Sequence, residues 1–241
     1  MQRWHFDTMG TVASIVVEGE VTESQQREVF ECCERFDQRF SLWRPSSELS
    51  RINAGEQALA DASPELLEAY VLATDWSLAT GGVFTPERPD GTLDLNGVVK
   101  ALAIRGVVDL LRELTPAGHV GIGGDGEAWG EASVPWRAGI VDPADREQLI
   151  SSITLGPGHW ALATSGSAER GDHIWSRPGD QPLRQASVLA PDIVTADVLA
   201  TTLVAAGPDA LNSVAAAREC EAFLVLADGT QLATAGWLGS D

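Results

Sequence analysis

The sequence predicts an α+β fold, a single domain over 1–241 with an antiparallel sheet and packed helices. Three observations carry it. Segments with helical periodicity and recognisable caps dominate the first half, short apolar runs separated by turns dominate the second, and the chain closes on a hairpin. Helices and strands therefore come in mixed order with hairpins among them, unlike the regular alternation of a doubly wound parallel sheet. Length and hydrophobic content suit one sizeable core. No internal repeat, low-complexity tract or linker interrupts the chain.

Phe6 to Glu18 reads as a strand entered through Asp7-Thr8-Met9-Gly10-Thr11, with Val12, Ile15, Val16 and Val17 supplying β-branched bulk. Residues 22–38 form an amphipathic helix capped by Thr22, with Val29, Phe30, Cys33 and Phe36 at helical spacing. A second helix runs from about Pro64 to Thr80, opened by Ser63-Pro64-Glu65 and stopped by Gly81-Gly82. From about Gly97 a third carries Ala101, Ile104, Val107, Val108 and Leu111 to about Leu114, ended by Pro116 and Gly118. Strands are expected at His119–Ile122, Trp136–Val141, Trp160–Thr164 and Gln185–Ala190. Two helices, near 195–206 and 208–218, precede a hairpin of Ala222–Ala227 and Gln231–Thr234 around Asp228-Gly229.

The chain carries 16 Lys and Arg against 35 Asp and Glu, a formal net charge of −19. That balance excludes a nucleic-acid surface or an anionic membrane as partner, because phosphate contacts need clustered cations. An anionic ligand needs local help from a metal, a helix N-terminus or a few placed cations. Cys32, Cys33 and Cys220 show no CxxC or Cys/His spacing, which fits a reduced setting. No apolar run reaches the roughly 20 residues of a membrane span and Met1-Gln2-Arg3-Trp4-His5 lacks a signal-peptide core, so a cytoplasmic location is expected, with export open if a leader has been trimmed.

Among the cations one stands apart. Lys100 is the only lysine, placed at the end of Asp94-Leu95-Asn96-Gly97-Val98-Val99-Lys100. A compact ammonium suits a crowded anion where a planar guanidinium does not. Gly121-Ile122-Gly123-Gly124-Asp125-Gly126 reads either as a loop whose N–H groups approach an anion or as a tight hairpin. Asp197 and Thr201 fall at i and i+4 on a helix face, offering hard oxygens to Mg²⁺ or simply complementing the helix dipole and packing. His173, beside Asp172 and Trp175, is a candidate acid or base in a polar loop, or mere packing. Thr164-Ser165-Gly166-Ser167 reads as a small-residue turn with hydroxyls for phosphate. Trp43 and Phe84 offer faces for a flat ring, or sit in the core as aromatics at strand ends do.

The order of these segments is more specific than any one of them. Met9-Gly10-Thr11, Phe40-Ser41 through Asn53, Gly81-Gly82-Val83-Phe84, Asp94 through Lys100, Gly121 through Gly124, Thr164-Ser165-Gly166, His173-Ile174 and Ala196-Asp197 with Thr201 together resemble the ApbE family of FAD:protein FMN transferases, over about Phe6 to Leu226. The resemblance implies the ApbE, T-fold-like α+β architecture and a Mg²⁺-dependent transfer of the FMN moiety of FAD to a Thr or Ser hydroxyl of an acceptor flavoprotein, releasing AMP. Target proteins of the family carry an Asp-x-x-Ser/Thr-Gly-Ala-Ser/Thr motif. Carried over by position, Met9, Trp43, Val83, Phe84, Thr85, Asp94, Lys100 and Trp175 line the FAD site. The Gly97 carbonyl, Asp197 and Thr201 hold the metal. Lys100 supplies the compact cation for the charge that builds on the phosphates, and His173 or Asp197 is the base for the acceptor hydroxyl.

Departures from the family pattern are also visible. Thr85 stands before Pro86 where the family has aspartate, the longer insert after it shrinks to Glu87–Leu93, Ala101 follows the lysine where glycine is usual, and His173-Ile174 runs into Trp175-Ser176-Arg177-Pro178. A wider, less enclosed pocket is expected. Two rival readings follow: an FAD pyrophosphatase giving FMN and AMP, and a flavin-binding module of weak or no activity.

Overall fold

The computed structural model describes residues 1–166 and 183–238. The apolar stretch read as a single strand is a hairpin, β1 (Gln2–Thr8) and β2 (Thr11–Glu18). Met9 and Gly10 turn it with φ of 50° and 73°, the pattern of a two-residue hairpin loop. Methionine rarely takes a left-handed conformation, so the turn carries no ordinary sequence signal. Helix α1 (Glu23–Phe40) follows, with Thr22 and Gln25 forming a reciprocal capping box. The short α2 (Glu48–Asn53) lies in a segment for which no element was expected. Helices α3 (Pro64–Ala79) and α4 (Asn96–Arg112) match their expected positions.

The glycine run after α4 is a hairpin turn between β3 (Ala117–Ile122) and β4 (Asp125–Trp129). A two-stranded ribbon, β5 (Trp136–Asp142) and β6 (Asp145–Leu155), comes next, and then β7 (Ala161–Gly166). Thr164 to Gly166 thus end a strand rather than make a turn. After β8 (Leu183–Ala190) come α5 (Ile193–Ala206), a 3₁₀ turn at Pro208–Ala210, α6 (Leu211–Arg218), the expected hairpin β9 (Glu221–Leu226) and β10 (Gln231–Ala233), and α7 (Ala235–Leu238). No helix among the described residues is long and apolar enough to cross a membrane.

Eight strands form one antiparallel sheet in the order β1-β2-β3-β4-β7-β8-β9-β10, with β5 and β6 paired separately. Period-two alternation gives it two apolar faces. Ala13, Ile15 and Val17, then Ala186, Val188 and Ala190, then Ala222, Leu224 and Leu226 share a core with α1, α4 and α5. Leu162, Leu189, Phe223 and Val225 point the other way, under Ile140, Ile153 and Leu155 of the ribbon and Trp237 of α7. On that second face His119 lies over Gly126, where an added Cβ would fall 2.6 Å from its Nε2, and faces Trp136 at 6.3 Å between ring centres. Burial there pushes its imidazole down to about 4, so it is neutral at ordinary pH.

Candidate active site

Turns and helix ends on the helical side of the sheet converge on a cavity of about 800 Å³, in the size range of a small-molecule cleft. Its floor is built from α4. Asn96 and Gly97 open that helix at the cavity, presenting the positive end of its dipole, and Lys100 stands one turn further in. Gly97 is required locally: a Cβ there would lie 2.6 Å from Cε2 of Phe84, whose ring packs over the helix start. The ammonium of Lys100 pairs with Oδ2 of Asp125, whose side chain is fully buried. Asp125 Oδ1 accepts the backbone N–H of Thr164 at 2.8 Å.

A second wall comes from β7 and α5. Thr201 and Ala205 face the cavity one helical turn apart, and Asp197, one turn before Thr201, is 1% exposed. Ser165, near the end of β7, shares a hydrogen bond with the Thr201 hydroxyl at 3.1 Å. Asp192 caps α5 through the N–H of Thr195, so dipole compensation is already supplied at its N-cap and the buried Asp197 is not needed for it. Carboxylate and hydroxyl are hard oxygen donors of the kind that could hold a divalent cation, and Gly97 adds a backbone carbonyl at the same cavity. Among the described residues no cluster of three His, Cys, Asp or Glu competes as a metal centre.

The mouth is shaped by two loops. After α1, the hydroxyls of Ser47 and Ser50 both donate to the Ser41 carbonyl, at 2.6 and 3.0 Å, and the tightened loop displays Trp43 with 71% of its surface exposed at the cavity edge. An aromatic so exposed is not core, and its ring offers a flat face at the cavity edge. Opposite it, Glu87–Leu93 forms a compact turn, with Arg88 N–H donating to the Thr92 carbonyl at 2.9 Å. Asn53 clamps that turn by bonding both the N–H and the carbonyl of Leu93 at 2.9 Å. Arg88 then places Nε and Nη2 on Asp94 Oδ2, at 2.9 and 2.6 Å, while Asp94 Oδ1 accepts the N–H of Asn96 at 3.0 Å. The shortened insert is therefore itself a wall, and Glu87 and Arg88 line the cavity.

Of the residues expected from sequence, Met9, Trp43, Val83, Phe84, Thr85, Asp94, Gly97, Lys100 and Thr201 all border this one cavity, with Asp197 buried beside Thr201. Trp43 and Phe84 do so from loops, not from strand ends, and Phe84 is at the same time a core residue, 4% exposed. His173 and Trp175 lie outside the described residues. Ser165, read from sequence as one of the hydroxyls of a phosphate-binding turn, instead bonds Thr201 from the end of a strand, and sequence reasoning gave no role to Asp125, Asn53, Arg88 or Arg146, the last reaching the cavity from the start of β6. Only Asp125 carried a local signal, as the carboxylate inside a glycine run. Neither of the adjacent cysteines competes as a nucleophile: burial pushes the Cys33 thiol up to about 12 and raises that of Cys32 as well.

Comparison with known proteins bears on the family and the fold. The model of the ApbE family matches residues 9–88 and 86–224. The FAD:protein FMN transferase of Vibrio cholerae is 28% identical over 161 residues, covering 61% of this chain and 48% of the relative. That of Escherichia coli is 25% identical over 161 residues, covering 61% and 46%. This chain thus spans about half the length of the curated relatives it matches. In fold it is similar to the ApbE protein of Thermotoga maritima, with a TM-score of 0.83 at 19% identity over 99% of this chain and 98% of that one. The flavin transferase ApbE of Vibrio cholerae gives 0.79 at 23%, over 100% and 99%.

Proposed function

This chain belongs to the ApbE family, and from that premise we propose that it is an FAD:protein FMN transferase that uses Mg²⁺ and modifies a Ser or Thr hydroxyl of an acceptor flavoprotein. The observation that carries the reading is convergence: the sole lysine, a helix N-terminus, a hydroxyl backed one turn earlier by a buried carboxylate, and an exposed tryptophan meet at one cavity in a chain of net charge −19. Each answers one need of an anionic dinucleotide with a flat ring.

The reaction forms a bond from the acceptor hydroxyl oxygen to the FMN phosphorus and breaks that phosphorus's bond to the bridging oxygen, which leaves with the electron pair on AMP. Charge therefore grows on the departing phosphate, where a positioned cation lowers the barrier. Lys100 fills that role, with the α4 N-terminus beside it. Asp197, Thr201 and the Gly97 carbonyl would hold Mg²⁺, which would supply charge neutralisation at the phosphate oxygens. The hydroxyl proton passes to Asp197 or to His173. Trp43 and Phe84 hold the ring system, Met9, Val83 and Trp175 complete its surroundings, and Thr85 and Asp94 contact it at the wall that Arg88 braces.

The decisive experiment incubates the protein with FAD, Mg²⁺ and a domain carrying Asp-x-x-Ser/Thr-Gly-Ala-Ser/Thr, and follows acceptor mass and AMP. An FMN-sized mass increase with AMP release is expected. Accumulation of FMN and AMP without adduct identifies a pyrophosphatase instead, and bound, intact FAD identifies a binding module.

A further inference from the structure

We propose that Asp125 is the positioning residue of this site, fixing the Lys100 ammonium and the strand end that carries Ser165 with one carboxylate. The proposal rests on the transferase reading of the same cavity. Asp125 is the first residue of β4, directly after the Gly123-Gly124 turn that lines the cavity. The β4–β7 ladder pairs Glu127 with Ala161 and Gly126 with Leu162. Where that pairing ends, the Asp125 side chain takes the Thr164 N–H in place of a main-chain carbonyl, at 2.8 Å. The next residue, Ser165, is bonded to Thr201. The second oxygen of the Asp125 carboxylate, Oδ2, meets Lys100.

One buried group therefore couples α4, β4, β7 and, through Ser165, α5. Burying a carboxylate with an ammonium is poor economy for stability alone, since apolar residues of similar size serve as well or better. What the arrangement supplies is a fixed direction. Lysine has a flexible four-carbon stem, and an ammonium that must meet a developing phosphate charge loses much of its effect if it wanders by an ångström. Asp125 need not touch the substrate to act, because it works through Lys100.

Asp125→Asn tests this while keeping a carbonyl for Thr164. With FAD, Mg²⁺ and acceptor, kcat is expected to fall about 10- to 100-fold while KM for FAD changes less than about threefold. A kcat equal to the wild type overturns the proposal. A second readout needs no activity, because the protein has one lysine and [13C]lysine labelling yields a single Cε–Hε signal. In the wild type its two geminal protons should be resolved, as for an immobilised stem, and in Asp125→Asn they should merge. A merged, averaged signal in the wild type sinks the idea without any variant, as does an equally ordered lysine in both proteins. Wild-type protein that releases no AMP yet shows the ordered lysine would refute the transferase reading and leave the positioning intact.

Discussion

Strand β4 carries two buried acids two residues apart on the same face, and each meets a cation from α4 at opposite ends of that helix. Asp125 pairs with Lys100 near the first turn, with side-chain exposures of 0% and 12%. Glu127 meets Arg112 in the last turn at 3.5 Å, with exposures of 9% and 50%. The first pair is closed on both sides and borders the cavity. The second is open on its cationic side, and Glu127 also accepts the N–H of Ile193 at the start of α5, so it serves as a helix-end acceptor. The same strand-to-helix geometry thus yields an aimed cation at one end and a structural brace at the other. The choice of lysine over arginine falls where room is needed for a ligand, and the arginine lies where its head can reach water.

The largest contrast should come from removing each cation while leaving a donor for its acid. Lys100→Gln is expected to cost about 10²- to 10³-fold in kcat for AMP release, the scale of losing one placed electrostatic group. Arg112→Gln should leave kcat within about twofold. Lys100→Arg is expected to behave like Lys100→Gln, because the fork crowds the phosphates and cannot settle on Asp125 in the space of an ammonium. Steady-state AMP release on the three variants checks this; an active Lys100→Arg would reduce the lone lysine to a habit of composition.

How legible these ends were differs for physical reasons. Asp197 and Thr201 could be put on one face because helical periodicity fixes which side chains share it, Lys100 stood out as the only lysine, and the resemblance attached chemistry to these three and to Gly97. Caps did the same for α1 and α3. The β1–β2 turn was hidden because Met9 takes a positive φ that no methionine advertises. Strand β4 was hidden because Asp125-Gly126-Glu127 looks like a loop, whereas both acids are inward-facing and matched by cations more than ten residues away. Such pairings across the chain leave no local pattern. The clamp of Asn53 on Leu93 and the bracing of Asp94 by Arg88 are of the same kind, set by how loops meet rather than by their composition.

A middle-sized effect separates the two glycines of α4. A Cβ at Gly97 would come within 2.6 Å of the Phe84 ring, whereas at Gly106 it would meet Cys32 Sγ at 3.2 Å and Phe36 Cε2 at 3.5 Å. Gly97→Ala must displace a buried aromatic that borders the cavity, so a loss of about 1–3 kcal/mol is expected together with weakened FAD binding. Gly106→Ala gains up to about 1 kcal/mol of helix propensity against a milder clash, so its stability should stay within about 1 kcal/mol of the wild type. Urea unfolding and quenching of FAD fluorescence measure the two quantities. Equal effects at the two sites would mean that the helix start has no special contact with Phe84.

The smallest expected effects concern pH, and they have opposite signs on the two faces of the sheet. Burial raises the Glu127 carboxyl above its ordinary 4.5, so the folded state holds a proton that the unfolded chain releases, and stability falls as pH rises through the window above 4.5. His119, pushed down to about 4 from 6.5, does the reverse: the unfolded chain binds the proton first, and stability is lost as pH falls from 6.5 toward 4. Glu127→Gln keeps an acceptor for Ile193 and should remove the loss on the alkaline side, making that variant the more stable one at pH 7. His119→Gln should flatten the loss on the acid side and leave stability at pH 7 nearly unchanged. Urea midpoints of the three proteins between pH 4 and 8 resolve the slopes. If the acid-side slope survives in His119→Gln, the imidazole under Trp136 is reached by water in the folded protein, and the ribbon does not seal the second face of the sheet.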